Sequence, residues 1–172
     1  WACWKTYLGR VDTDGNRCSG MGVLGDALIV SERPEEALLV LEANLVLNRR
    51  YWSHNEDVVL IAQSNVACCL GDLGRHEEAL VLERGIFDRR VATLGLSHER
   101  TILVGTNILI SLQRLKSFGE AIAFSRDQLL PTARQSLGAD HYVTLIISQR
   151  IARALDDNPK RTRDDLLEAE TI

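Results

Sequence analysis

The sequence repeats itself. Glu36-Ala37-Leu38, Glu78-Ala79-Leu80 and Glu120-Ala121-Ile122 recur every 42 residues, and Asn65 and Asn107 stand at the same interval. Gly95-Leu96-Ser97-His98 is echoed by Gly138-Ala139-Asp140-His141, and the self-similarity runs from about Gly25 to Leu155. A fixed period of roughly 20–50 residues marks a stacked array of small supersecondary units. That commits the chain to a repeat architecture before any element is assigned.

The units read as helical. Only three prolines and three phenylalanines occur in 172 residues, against abundant Ala, Leu, Glu and Arg, a balance that favours helix over strand. Apolar residues recur at spacings of three and four, as in Ala37, Leu38, Leu41, Leu45 and Val46, or Ile61, Ala62, Val66, Ala67, Leu70 and Leu73. The later stripes carry Ala79, Leu80, Leu82, Ile86 and Phe87, then Ile102, Val104, Ile108, Leu109, Leu112 and Leu115, then Ala121, Ile122, Phe124, Leu129 and Leu130. The last comprises Tyr142, Leu145, Ile146, Ile151, Ala152 and Leu155. Between stripes lie punctuating residues: Pro34 ahead of Glu35-Glu36, Gly74, Gly95, Lys116-Ser117-Phe118-Gly119 and Asn158-Pro159. Ser97 is the expected N-cap of the helix after Gly95.

Each unit is therefore helix A, turn, helix B, turn. A lone hairpin of two ~17-residue helices, each about 25 Å long, cannot bury both apolar faces. Stacking does so, giving a superhelix with a concave inner surface. The units fall near 12–52, 53–95, 96–138 and a partial 139–172, with 1–11 ending a preceding helix. Residues 1–172 are expected to form a single repeat domain, a fragment of a longer chain, because Trp1 is no natural start and Met21 is the only methionine. Two places are expected to be irregular. The helix from about Arg17 to Ser31 contains Gly20, Gly22 and Gly25, each costing about 1 kcal/mol against alanine. Pro131 lies inside a helix and should kink it, where the His98–His141 interval lengthens to 43. Asp164 to Ile172 reads as the start of a truncated partner helix.

Charge and motifs exclude several functions. A net charge of −4 weighs against nucleic acid as the main ligand. No apolar run approaches the ~20 residues that span a bilayer, and Trp1-Ala2-Cys3-Trp4-Lys5 does not open a signal peptide. Cys3, Cys18, Cys68 and Cys69 lack C-x-x-C or zinc spacing and read as buried thiols in a reducing compartment, which points to the cytoplasm. Asp12-Thr13-Asp14-Gly15-Asn16 fails as a calcium loop, since Arg17 and Val23 occupy the positions that need glycine and glutamate. His54, His98 and His141 recur at unit boundaries too far apart to share one ion, so they read as turn and capping residues. No catalytic set, phosphate loop or H-E-x-x-H motif occurs. No enzyme, metal or cofactor is expected.

Leu94-Gly95-x-x-His98-x-x-Thr101, Leu137-Gly138-x-x-His141-x-x-Thr144 and Asn65-x5-Gly71-x2-Gly74-Arg75-x-Glu77-Glu78-Ala79-Leu80 resemble the kinesin-light-chain class of tetratricopeptide repeats. The resemblance covers residues from about 22 to 156 and implies an all-α, right-handed α-solenoid of stacked antiparallel helix pairs. It also implies a scaffold whose concave face, lined by A helices, holds extended peptides of partner proteins. Asparagines at the positions of Asn65 and Asn107 would bond the peptide backbone. The chain departs from the pattern at Val23 and Arg150, which hold that position in other copies. It departs again at Leu41, Glu83 and Ser125, where an aromatic is usual.

On this reading Asn65, Asn107 and Arg150 form a backbone clamp, and Gln149, Arg153 and Arg114 read acidic groups. A two-carboxylate clamp for C-terminal tails is not expected, because Ser64, Cys68 and Thr106 occupy the stretch it needs. The expected function is non-catalytic protein or peptide binding. The alternatives are a spacer positioning another domain, and RNA binding through helical repeats, for which Lys160-Arg161-Thr162-Arg163 is the one basic run.

Overall fold

Three turns, one in each repeat, close with the same hydrogen bonds. In the computed structural model, which describes residues 14–162, Glu32, Gly74 and Lys116 take positive φ of 56°, 75° and 58°. At each, the next amide closes on the carbonyl five residues back: Arg33 on Leu28, Arg75 on Leu70 and Ser117 on Leu112, all at 2.9 Å. The left-handed residue itself donates three back, to Ile29, Gly71 and Gln113, at 3.0 Å. This is the Schellman stop, which satisfies carbonyls a helix end leaves open.

Eight α-helices are described: α1 Asp14–Val30, α2 Pro34–Tyr51, α3 Glu56–Asp72, α4 His76–Leu94, α5 Glu99–Arg114, α6 Phe118–Phe124, α7 Leu130–Ser136 and α8 Tyr142–Asp157. A π-helical turn, Ser125–Leu129, joins α6 to α7. No strand occurs among the described residues, and none of their helices is long and apolar enough to cross a membrane. The chain divides into two units, Trp1–Arg75 and His76–Ile172.

In the first unit α1 packs on α2 and α2 on α3, around Met21, Leu28, Leu38, Leu41, Leu45, Leu60, Val66 and Leu70. In the second, α4 packs on α5, and α5, the α6–α7 segment and α8 pack together around Ile102, Leu109, Leu112, Leu129, Ile147, Ile151 and Leu155. The periodicity placed these faces correctly for most positions. Val46, Ile61, Tyr142 and Leu145 are exposed instead, and Val143, Ile147 and Ala154 supply the buried side of α8.

Three local expectations change. α1 starts at Asp14 and is a regular α-helix despite its glycines. A Cβ on Gly25 would lie 2.4 Å from Leu41 Cδ2. The glycine permits a close α1–α2 approach, and the burial this brings offsets its low propensity. The α5 cap is His98 rather than Ser97: its Nδ1 accepts from Arg100 N–H at 3.2 Å, as His141 Nδ1 accepts from Val143 N–H at 3.4 Å. In the first unit Asn55 Oδ1 caps α3 in the same manner, and His54 sits in the turn before it. Finally, irregularity falls on the helix with Pro131. The extra residue of this copy becomes a π-turn, closed by Leu130 N–H on Ser125 O, just ahead of the residue that cannot donate. The helix end expected within 1–11 and the helix from Asp164 lie outside the described residues, while Asp14, Gly15 and Asn16 of the polar stretch Asp12–Asn16 are already helical and open α1.

The Gly-x-x-His-x-x-Thr motif now has a structural account. Gly95 and Gly138 take φ of 84° and 98°, ending α4 and α7 in a conformation costly for other residues. The histidine caps the next helix, and Thr101 Oγ1 donates back to Gly95 O at 2.9 Å. The motif builds the turn between successive repeats, with Thr144 Oγ1 of the second copy buried without a partner.

Candidate functional site

The first unit holds a half-open cleft of about 340 Å³ between α1, α2 and α3. Asn65 on α3 lines it, together with Asn44 and Asn48 of α2, Trp52, Val58, Ile61, Ala62, Cys18, Ser19 and Gly22. Asn44 and Asn48 are buried, one turn apart on the apolar face of α2. Asn48 Nδ2 donates to Asn44 O at 3.0 Å and to Asn44 Oδ1 at 2.9 Å. That pairing fixes both amides and supplies buried polar groups with partners. The result is a concave wall of amides beside an indole and small aliphatic side chains. Such a wall can exchange hydrogen bonds with a peptide unit and cover an apolar side chain.

Sequence reading found Asn65 and missed Asn44, Asn48 and Trp52. The signal was present, since Asn44 and Asn48 interrupt the Leu41–Leu45 stripe at positions that face inward. Val23, in the slot equivalent to Asn65, is exposed.

The second unit carries the other expected residues. Asn107 is half-buried at mid-α5. Arg114 ends α5, while Gln149, Arg150 and Arg153 lie on α8, with Gln149, Arg153 and Arg114 exposed. Gln113, unforeseen in the sequence, ties the two helices: its Nε2 donates to Arg150 O at 2.6 Å, and Arg150 Nη1 lies 3.5 Å from Gln113 Oε1. Burial, then the charges of Arg153 and Arg114, pulls the Arg150 guanidinium below its ordinary value. Arg150 Nε is buried and donates to no described group.

The slot of the missing aromatic is interior in every copy. Leu41, Glu83 and Ser125 are all buried. Burial raises the Glu83 carboxyl, opposed by a hydrogen bond from Ser111, and Glu83 Oε2 has no partner. Ser125 Oγ donates to Ala121 O at 2.7 Å.

The thiols divide. Cys18 and Cys69 are buried as expected, and Cys68 is exposed, a departure that follows from its neighbour taking the inward position on α3. Cys69 Sγ donates to Pro34 O at 3.3 Å, and burial raises it further from thiolate. Among the described residues no group of His, Cys, Asp and Glu could hold a metal ion.

No family model matches the sequence, and no curated protein matches it. Among solved structures the chain is similar to a kinesin-light-chain-like protein of Podosopora anserina with nearly identical TPR-like repeats. The TM-score is 0.76 at 19% identity, covering 89% of this chain and 70% of that one. A single-substitution variant of that protein gives a TM-score of 0.79 at 18% identity, covering 97% and 78%. The fold is an all-α, tetratricopeptide-like helical-repeat solenoid.

Proposed function

We propose that this chain is a non-catalytic interaction scaffold of the cytoplasm that holds an extended peptide of a partner protein in a concave groove lined by its A helices. The observation that carries this reading is the cleft of the first unit, where Asn65 of the A helix α3 meets Asn44 and Asn48 of the B helix α2 around a space of about 340 Å³ beside Trp52. A helical repeat supplies a scaffold in general; the assignment of a ligand rests on the site. An amide side chain both donates and accepts, so it meets the C=O and N–H of any extended peptide without regard to sequence. Within the second unit, Asn107 and Arg150 are proposed as backbone contacts of the same kind, and Gln149, Arg153 and Arg114 as readers of acidic groups.

The test is a selection of unstructured peptides from a displayed library on the native chain, with affinities then measured against Asn65→Ala and Asn107→Ala. Each lost hydrogen bond to a peptide group costs about 1 kcal/mol, a weakening of roughly fivefold. Selected peptides that bind both variants as tightly as the native chain would contradict the clamp. A selection yielding no peptide above background would favour a spacer.

A further inference from the structure

In the second unit three arginines come together on α5 and α8. Arg150 and Arg153 stand one turn apart on α8, and the Gln113–Arg150 bond pins α8 to the end of α5, bringing Arg114 alongside. Both neighbours act on Arg150 as like charges. Among the described residues, no carboxylate pairs with any of the three. Elsewhere in this unit Arg84 does find a carboxylate, that of Glu120. Three guanidinium groups carry more charge than one carboxylate neutralises. A phosphate monoester brings about −1.5 to −2 and three acceptor oxygens, and planar guanidinium forks pair with it two bonds at a time. Gln113 holds the Arg150 backbone in place, which keeps this arginine fixed beside Arg153.

We propose that Arg114, Arg150 and Arg153 form a binding site for a phosphate monoester, carried as phosphoserine or phosphothreonine on the bound peptide. The inference rests on the peptide-binding reading only for the carrier; the anion site is testable without a peptide.

The experiment titrates N-acetyl-phosphoserine amide into the native chain at low ionic strength, following the arginine Nε–H resonances by NMR. N-acetyl-glutamate amide at matched ionic strength is the comparison. The expected result is saturable shifts at Arg150 and Arg153 with phosphoserine, and binding at least tenfold weaker for glutamate. Arg150→Gln and Arg153→Gln should each weaken phosphoserine binding fivefold or more, while Arg134→Gln on α7 changes nothing. Arg150→Lys keeps the charge and loses the fork, so it should lose most of the preference for phosphoserine over glutamate. Equal binding of the two probes, or an equal loss with Arg134→Gln, would overturn the site as ordinary surface charge. A single-stranded RNA that displaces the probe and binds more tightly would overturn the assignment in favour of nucleic acid. Phosphoserine bound here while the peptide library yields nothing would sink the peptide reading and leave the anion site standing.

Discussion

At Gly25 and Gly85 the same substitution has opposite consequences. Both lie inside helices, where alanine gains about 1 kcal/mol over glycine. At Gly85 an added Cβ meets nothing within 4 Å, so Gly85→Ala should stabilise the protein by about that amount. At Gly25 the methyl would fall 2.4 Å from Leu41 Cδ2 and 2.6 Å from Cγ, on a side chain only 1% exposed. Overpacking costs about 1–3 kcal/mol, which exceeds the propensity gain, so Gly25→Ala should destabilise. Urea unfolding of the two variants checks the pair, and a gain at both positions would refute the close α1–α2 contact. Glu83 makes a pH prediction. Its folded form holds the proton to higher pH than the unfolded chain, where glutamate titrates near about 4.3. The stability it contributes is present below that pH and is lost as pH rises through the folded value. Glu83→Gln should therefore unfold at higher urea than the native chain at pH 7, with the difference closing toward pH 4. A glutamine variant weaker at neutral pH would mean that the charged form is the one the fold accommodates.

Among the elements, the stops of α1, α3 and α5 share one left-handed position, filled by Glu32, Gly74 and Lys116. Only one of the three is glycine, so the other two carry the cost of a Cβ there, about 1–2 kcal/mol by steric argument. Lys116→Gly should raise stability by about 1 kcal/mol in thermal unfolding, and Gly74→Ala should lower it by a similar amount. The opposite order would contradict the shared geometry. Removing the α5 cap by His98→Ala should cost about 1 kcal/mol, while His98→Asn keeps most of the stability, since an amide oxygen can take over the role of Nδ1. Element types and turns were legible in the sequence because stripes, glycines and Pro34 are local signals. The cap was misread by one residue because Ser97 and His98 are adjacent and both can accept. The π-turn was half legible: Pro131 and the lengthened interval pointed to a defect. Its form followed from fitting one extra residue into a helix that stays packed through Ser125, Leu129 and Leu130.

Across the whole molecule, the candidate site was only partly written in the repeat. Asn65 could be singled out because Asn107 repeats it at the period, whereas Asn44, Asn48 and Gln113 do not recur. Their roles come from inward placement on α2 and from an α5–α8 contact, both products of packing. The repeat explains the helices, and its departures set polar groups where the pattern has none: Asn44 and Asn48 in the cleft of the first unit, Arg150 on α8, and the buried Glu83 carboxyl where an aromatic would stand. A ligand held by its backbone loses affinity when a bonded amide is removed, so the direct measurement exchanges single peptide amides of a selected ligand for esters. Binding to the native chain and to Asn65→Ala is then compared by calorimetry. One ester should weaken binding to the native chain about fivefold and have no effect on Asn65→Ala, as expected when a single hydrogen bond is shared by the two changes. Ester substitutions without effect along the whole peptide, with affinity lost only when its side chains are trimmed, would contradict the backbone clamp.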